Sequence, residues 1–242
     1  MKNIYISPNY KRLSNHVALK IGSYLRYKPD ALICIASGDS TVGVCQALVK
    51  HYHLRKFDIE QVTFVGLDEW VGMDEHDDGS CKSSLYKHLF NQLPLRPEQI
   101  QYFDAKAVNL FAECEQINAF IASKGGLDVM LVGVGLNGHI ALNEPGTPFD
   151  SYAHVSDLDK MTISVGQKYF KKETPLSQGL TVGLRHLEEA KLPILVANGV
   201  KKANIIKKAL TQKVSTALPA SIFQLLPHAK IVLDKEAASE LG

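Results

Sequence analysis

Three short stretches set reactive side chains among glycines and small residues. The longest runs Gly135-Leu136-Asn137-Gly138-His139-Ile140-Ala141-Leu142-Asn143-Glu144-Pro145-Gly146. A histidine five residues before a glutamate can act as a proton shuttle oriented by a carboxylate. Gly135 and Gly138 permit tight turns and close approach of the backbone to a ligand. The second stretch is Asp68-Glu69-Trp70, directly after an apolar run. Two carboxylates at a strand terminus can supply a general base. The acidic series from Asp74 to Asp78 follows it. Hard cations want several oxygens, but the spacing is not that of an EF-hand, so a solvated loop is the simpler reading. The third stretch is Ser37-Gly38-Asp39-Ser40-Thr41, ahead of a helical pattern. Such a loop presents backbone N–H groups and the positive end of a helix dipole to a phosphate. Plain N-capping by Asp39 or Ser40 accounts for the same residues, and both readings stay open. The Lys-Ser/Thr ending of a P-loop is missing. Asn198-Gly199-Val200-Lys201-Lys202 opens a further helix, with a lysine pair that either meets a phosphate or is simply solvated.

These residues need elements to hold them, and the apolar pattern supplies candidates. Residues 31–36, 61–67, 127–134, 192–197 and 229–233 are short, nearly continuous apolar runs, the mark of strands buried on both faces. Helical stretches lie between them. Leu13, Val17, Ile21 and Leu25 recur every four residues, and residues 42–52, 83–93, 109–124 and 201–210 are similar in length. Strands alternating with helices imply a mostly parallel sheet with helices on both faces, a Rossmann-like three-layer α/β sandwich. Ligands in such sheets bind beyond the carboxyl ends of the strands. Each reactive stretch follows an apolar run.

Composition narrows the function classes. The chain has 242 residues, 45% of them hydrophobic, with 27 Lys+Arg against 25 Asp+Glu. A net charge of +2 argues against a polybasic surface for nucleic acid or membrane. Cys34, Cys45, Cys81 and Cys114 form no C-x-x-C pair and read as buried or half-buried free thiols in a reducing cytosol. The segment from Met1 to Arg12 has no apolar signal region, and no apolar run approaches the roughly 18 residues of a membrane span. A cytoplasmic protein with one α/β domain over residues 1–242 is expected.

Taken together, these motifs resemble the glucosamine-6-phosphate deaminase (isomerase) family, from a superfamily that also holds 6-phosphogluconolactonases and sugar-phosphate isomerases. The resemblance covers essentially the whole chain. It is carried by Ser37 to Ser40, Gly66-Leu67-Asp68-Glu69-Trp70, Gly133 through Gly146, Gly179 to Gly183, Gly199 to Ala203, and Leu218-Pro219-Ala220-Ser221. The Gly-His loop followed by Asn-Glu-Pro-Gly is the most specific element, and lactonases look different after the Gly-His step.

The resemblance implies roles. Asp68 would abstract a proton, His139 would open the sugar ring and Glu144 would support it. Ser37, Gly38, Asp39, Ser40, Gly135, Gly138 and Lys202 would hold the substrate and its phosphate. A family arginine on the phosphate side aligns loosely near Lys168. Many members carry aspartate where Asn137 stands, so any carboxylate–His–carboxylate arrangement is weakened here. The implied substrate is glucosamine 6-phosphate or galactosamine 6-phosphate. Asp-Glu-Trp and the run from Lys213 to Ala217 look more like the galactosamine branch. No metal or organic cofactor is required, because the carbonyl and amine act as the electron sink. The expected partner is that small molecule, with no nucleic acid or membrane, and a homo-oligomer is left open. The allosteric members carry an arginine-rich stretch soon after Asn-Glu-Pro-Gly. Here no arginine occurs between Arg96 and Arg185, so no activation by an N-acetylamino-sugar phosphate is expected. A lactonase-like sugar-phosphate hydrolase and a non-catalytic sugar-phosphate sensor are the competing classes.

Overall fold

The structure is a computed structural model that describes residues 3–241, so the expected domain's ends at residues 1, 2 and 242 lie outside the described residues. In chain order the strands are β1 (Ile4–Ser7), β2 (Leu32–Ile35), β3 (Thr63–Gly66), β4 (Asp68–Trp70), β5 (Ile100–Gln101), β6 (Val129–Val132), β7 (His154–Asp157), β8 (Gln178–Thr181), β9 (Leu192–Ala197) and β10 (Lys230–Asp234). The α-helices are α1 (Tyr10–Tyr27), α2 (Asp39–His53), α3 (Cys81–His88), α4 (Leu110–Ser123), α5 (Lys160–Gly166), α6 (Leu184–Glu189) and α7 (Ala203–Thr211).

Seven strands form one parallel sheet in the order β1-β10-β9-β6-β2-β3-β5. Successive side chains of a strand point to opposite faces. Leu32 and Cys34 of β2, with Met130 and Val132 of β6, pack on α4, α6 and α7. Ile33 and Ile35, with Val129 and Leu131, pack on α1, α2 and α3. Both faces are therefore dry, which is why these strands read as continuous apolar runs. The expected three-layer α/β sandwich is the observed one.

The sequence order reverses between β2 and β6. From β2 the chain builds outward through β3 and β5, and from β6 it builds the other way through β9 and β10. Such a reversal opens a crevice at the carboxyl ends of the two central strands. After β2 comes Ser37–Ser40, running into the start of α2, and after β6 comes the loop Gly133–Gly146, two of the stretches singled out above.

A second sheet was not anticipated. It is antiparallel, in the order β4-β8-β7. Its strands are three or four residues long and carry Asp, Glu, His, Ser, Gln, Gly and Thr. Short, mixed strands show neither an apolar run nor a clean alternation. Only Leu67 separates β3 from β4, so Asp68 both follows a strand of the large sheet and begins the small one. The edge strands β1 and β5 and the short helices α5 and α6 were also not foreseen.

Candidate active site

The first wall of the crevice is the start of α2. Gly38 is the N-cap, in an extended conformation with no side-chain cap. Asp39 and Ser40 are therefore not the caps but lie in the first helical turn. Thr41 stabilises the turn from within, donating from Oγ1 to the carbonyls of Ala36 at 2.6 Å and Gly38 at 2.7 Å. Ser40 Oγ donates to Asn198 Oδ1 at 2.7 Å. The uncapped N–H groups and the dipole leave the helix start suited to an anion.

Two lysines converge there. Lys168 Nζ stands 2.5 Å from Asp39 Oδ2. Asp39 thus supplies backbone, while its carboxylate is matched by a cation. Lys202 lies in the 3₁₀ turn Val200–Lys202, and its Nζ donates to the Val134 carbonyl at 2.6 Å. Burial first, then the charge of Lys168, pulls the Lys202 ammonium down to about 8, with Asp39 opposing.

The second wall is the loop after β6. Gly135 and Gly138 both prove necessary. A Cβ on Gly135 would fall on the His139 ring, and Gly138 adopts φ +90° with Leu218 where its Cβ would be. Ala141, between His139 and Glu144, is held at φ 54°, the left-handed region that non-glycine residues rarely adopt. Asn143 fixes the loop from beneath, donating from Nδ2 to the carbonyls of Ile140 and Val182, each at 2.9 Å.

Asn137, His139 and Glu144 meet here, joined by Thr162 of α5. Asn137 Nδ2 donates to Glu144 Oε2 at 2.8 Å, and its Oδ1 accepts from His139 N–H at 3.1 Å. His139 Nδ1 lies 2.9 Å from Thr162 Oγ1 and 3.5 Å from Glu144 Oε2. Burial alone would raise Glu144, but hydrogen bonding and charge from His139, with Thr162 and Asn137, hold it below the usual carboxylate value.

The third wall is β4. Asp68 is 8% exposed, and its Oδ1 has no hydrogen-bond partner among the described residues. Burial, reinforced by the charge of Glu69 and weakly offset by the Cys81 thiol, pushes Asp68 up to about 7. Its neighbour behaves otherwise. Glu69 is fully buried and accepts from Trp70 N, Cys81 N, Lys82 N and Ser80 Oγ at 2.6–3.0 Å. It ties β4 to the start of α3, so only one of the paired carboxylates faces the crevice.

The acidic loop is charge-matched rather than simply solvated. Lys106 bridges Asp74 and Asp77, Lys82 meets Glu75 and Lys171 meets Asp78, all at 2.6–2.7 Å. Among the described residues no group of three or more His, Cys, Asp or Glu could hold a metal ion. All four cysteines are buried free thiols.

Together these walls enclose a cleft of about 510 Å³. Asp68, His139, Asn137, Gly135, Lys202 and Ser37 to Ser40 line it. Glu144 stands behind His139, and Gly138 shapes the turn. The sequence reading did not find Thr162, and it touched Lys168 only loosely. Both sit on or just after α5, a seven-residue helix whose sequence carries no chemical motif. Among the described residues no helix is long and apolar enough to cross a membrane.

The chain is similar to known proteins over most of its length. The family model described as glucosamine-6-phosphate isomerases/6-phosphogluconolactonase matches residues 9–232. A glucosamine-6-phosphate deaminase of Clostridium botulinum (strain Loch Maree / Type A3) is 32% identical over 241 residues, covering 99% of this chain and 98% of that protein. A protein of Escherichia coli K12 designated AgaI, assigned provisionally as a deaminase, is 37% identical over 220 residues, covering 90% of this chain and 86% of its own. Among solved structures, a monomeric glucosamine-6-phosphate deaminase superposes with a TM-score of 0.95 at 29% identity, covering 98% of this chain and 99% of that one. A 6-phosphogluconolactonase from Trypanosoma brucei superposes with a TM-score of 0.78 at 18% identity, a likeness of fold alone.

Proposed function

Because the chain belongs to the glucosamine-6-phosphate isomerase/6-phosphogluconolactonase family, we propose that it is an amino-sugar-6-phosphate deaminase. It converts glucosamine 6-phosphate or galactosamine 6-phosphate to the ketohexose 6-phosphate and ammonia. The observation that carries this reading is Asp68, a buried carboxyl raised to about 7 and facing a cleft whose other wall holds His139 and Glu144. A carboxylate poised near neutrality suits abstraction of a carbon-bound proton.

The substrate phosphate sits on the start of α2, over Ser37 to Ser40, with Lys202 and Lys168 as its cations. This anchoring orients C2 over Asp68 and draws on binding energy remote from the reacting atoms. His139 moves a proton from the anomeric hydroxyl to the ring oxygen, and the pyranose opens. Asp68 takes the C2 proton, acidified by the neighbouring aldehyde, and returns it at C1. The resulting ketimine at C2 is hydrolysed, and ammonia leaves. Aldehyde and amine carry the electrons through this sequence. The chain acts as one domain and needs no N-acetylamino-sugar phosphate to activate it.

The test is ammonia release from the two C4 epimers, run beside hydrolysis of 6-phosphogluconolactone. Release from either amino sugar is the expected result, and the ratio of kcat/KM between them assigns the C4 preference. Lactone hydrolysis without ammonia would make the chain a lactonase, which needs no C2 base. Binding without turnover of any of the three would make it a sensor.

A further inference from the structure

The geometry points to Thr162 as the positioning residue for His139, a hydroxyl set between the imidazole and the Glu144 carboxylate. The inference rests on the deaminase reading of the cleft and adds a residue to it. Thr162 is 5% exposed and comes from α5, outside both loops that carry the recognisable motifs. Its Oγ1 is 2.9 Å from His139 Nδ1, whereas the Glu144 oxygen is 3.5 Å from the same nitrogen. Asn137 Nδ2 donates to Glu144 Oε2 at 2.8 Å and, over a longer 3.4 Å, to Thr162 Oγ1. The nearer partner of Nδ1 is therefore the hydroxyl, with the carboxylate beyond it.

A carboxylate can only accept, and in direct contact it would keep a hydrogen on Nδ1 throughout. A hydroxyl both accepts and donates. When Thr162 Oγ1 accepts from Nδ1–H, the Nε2 lone pair is free to take a proton. The hydroxyl's own hydrogen then goes to the Glu144 carboxylate, whose charge it helps to hold. Ring opening keeps the Nδ1 hydrogen in place throughout and works at Nε2 alone. The O1–H bond breaks as its proton passes to Nε2. The C1–O5 bond breaks with its electron pair going to O5, and C1=O1 forms. Nε2 then delivers its proton to O5, so the imidazole ends as it began and no co-reactant is consumed. Between the two transfers the ring is an imidazolium, and Glu144 is the anion beside it. Thr162 Oγ1 accepts from Nδ1–H in the neutral ring and in the imidazolium alike, and so fixes the tautomer that leaves Nε2 free.

The experiment uses Thr162→Val, which keeps the side-chain shape without the hydroxyl, and Thr162→Ser, which keeps the hydroxyl. Ammonia release from both amino-sugar phosphates is measured beside the imidazole nitrogen chemical shifts of His139. Thr162→Val should lose roughly 10- to 100-fold in kcat, with KM within about two-fold, since it disorders a general acid–base without removing it. Its His139 shifts should move, and Thr162→Ser should recover most of both. Wild-type kcat with unmoved shifts in Thr162→Val overturns the inference. So does a loss that Thr162→Ser fails to recover while its circular dichroism stays that of the parent. If the parent protein releases no ammonia from either sugar, the deaminase reading fails instead. The shifts then decide the place of Thr162 alone, with unmoved shifts in Thr162→Val overturning it and moved shifts retaining it.

Discussion

Asp68 lines the cleft and Glu144 stands behind His139 on its other wall, and their surroundings treat the two carboxylates in opposite ways. Both are buried, at 8% and 5% exposed. Burial raises Asp68 to about 7, helped by the charge of Glu69. Burial also opposes the charge on Glu144, yet His139, Thr162 and Asn137 together hold it below its ordinary value. The difference lies in the donors. Asp68 has only the Cys81 thiol beside it and an Oδ1 with no partner among the described residues, while the backbone N–H groups at the start of α3 go to Glu69. A carboxyl left with few donors becomes a base at neutral pH, and one surrounded by them stays a fixed anion.

The strongest way to break this contrast is Asp68→Asn. As removal of a general base it should cut kcat for ammonia release by about 10²- to 10⁴-fold with KM little changed, and full turnover would end the assignment. The pH profile of kcat/KM comes next. Asp68 must be ionised to work, so the rate should climb about tenfold per pH unit on the acid side and level off near pH 7. A plateau continuing down to about pH 5 would place the working base elsewhere.

Stability sharpens the same comparison. The folded-state pKa of Asp68 lies above its unfolded value, so the folded protein holds the extra proton between them. Its contribution is present below about pH 4 and lost as pH rises through about 7. Asp68→Asn should therefore be more stable than the parent near pH 8 by on the order of a few kcal/mol, read as a higher melting temperature, and the gap should close in acid. Glu144 has the opposite sign. Its contribution is present above its unfolded pKa and lost as pH falls through its lowered folded value. Glu144→Gln should then lower the melting temperature near pH 8, and thermal shifts of the same sign in both variants would refute the contrast. The smallest effect is expected at Ala141, in the loop that carries Glu144. Ala141→Gly relieves the left-handed backbone and should change stability by about 1 kcal/mol or less, upward, while loosening the loop enough to lower kcat slightly.

Legibility in the sequence followed burial. β2, β3, β6, β9 and β10 are dry on both faces, so their apolar runs stood out and pointed to the loops that hold His139, Asp68, Lys202 and Ser37 to Ser40. β4, β7 and β8 are short and polar, and α5 and α6 have seven and six residues, too few for a helical period to show. Thr162 and Lys168 were hidden for that reason, since each becomes informative only beside a partner far away in the chain. Lys168 lies 129 residues from Asp39, and Thr162 lies 23 from His139. The acidic loop looked solvated because its lysines, Lys82, Lys106 and Lys171, come from three different segments.

The pairing of β1 with β10 carries a consequence for the order in which this molecule can be made. Ile4 to Ser7 lie against Ile231 to Asp234. At ribosomal speeds of roughly 5–20 residues per second, the first strand waits on the order of 10 s or more for its neighbour. Through that interval its N–H and C=O groups, with Tyr5 and Ile6 beside them, form an open edge of the kind that invites pairing with other chains. The late-made β10 covers one side of β1, and the other side stays an outer edge of the sheet.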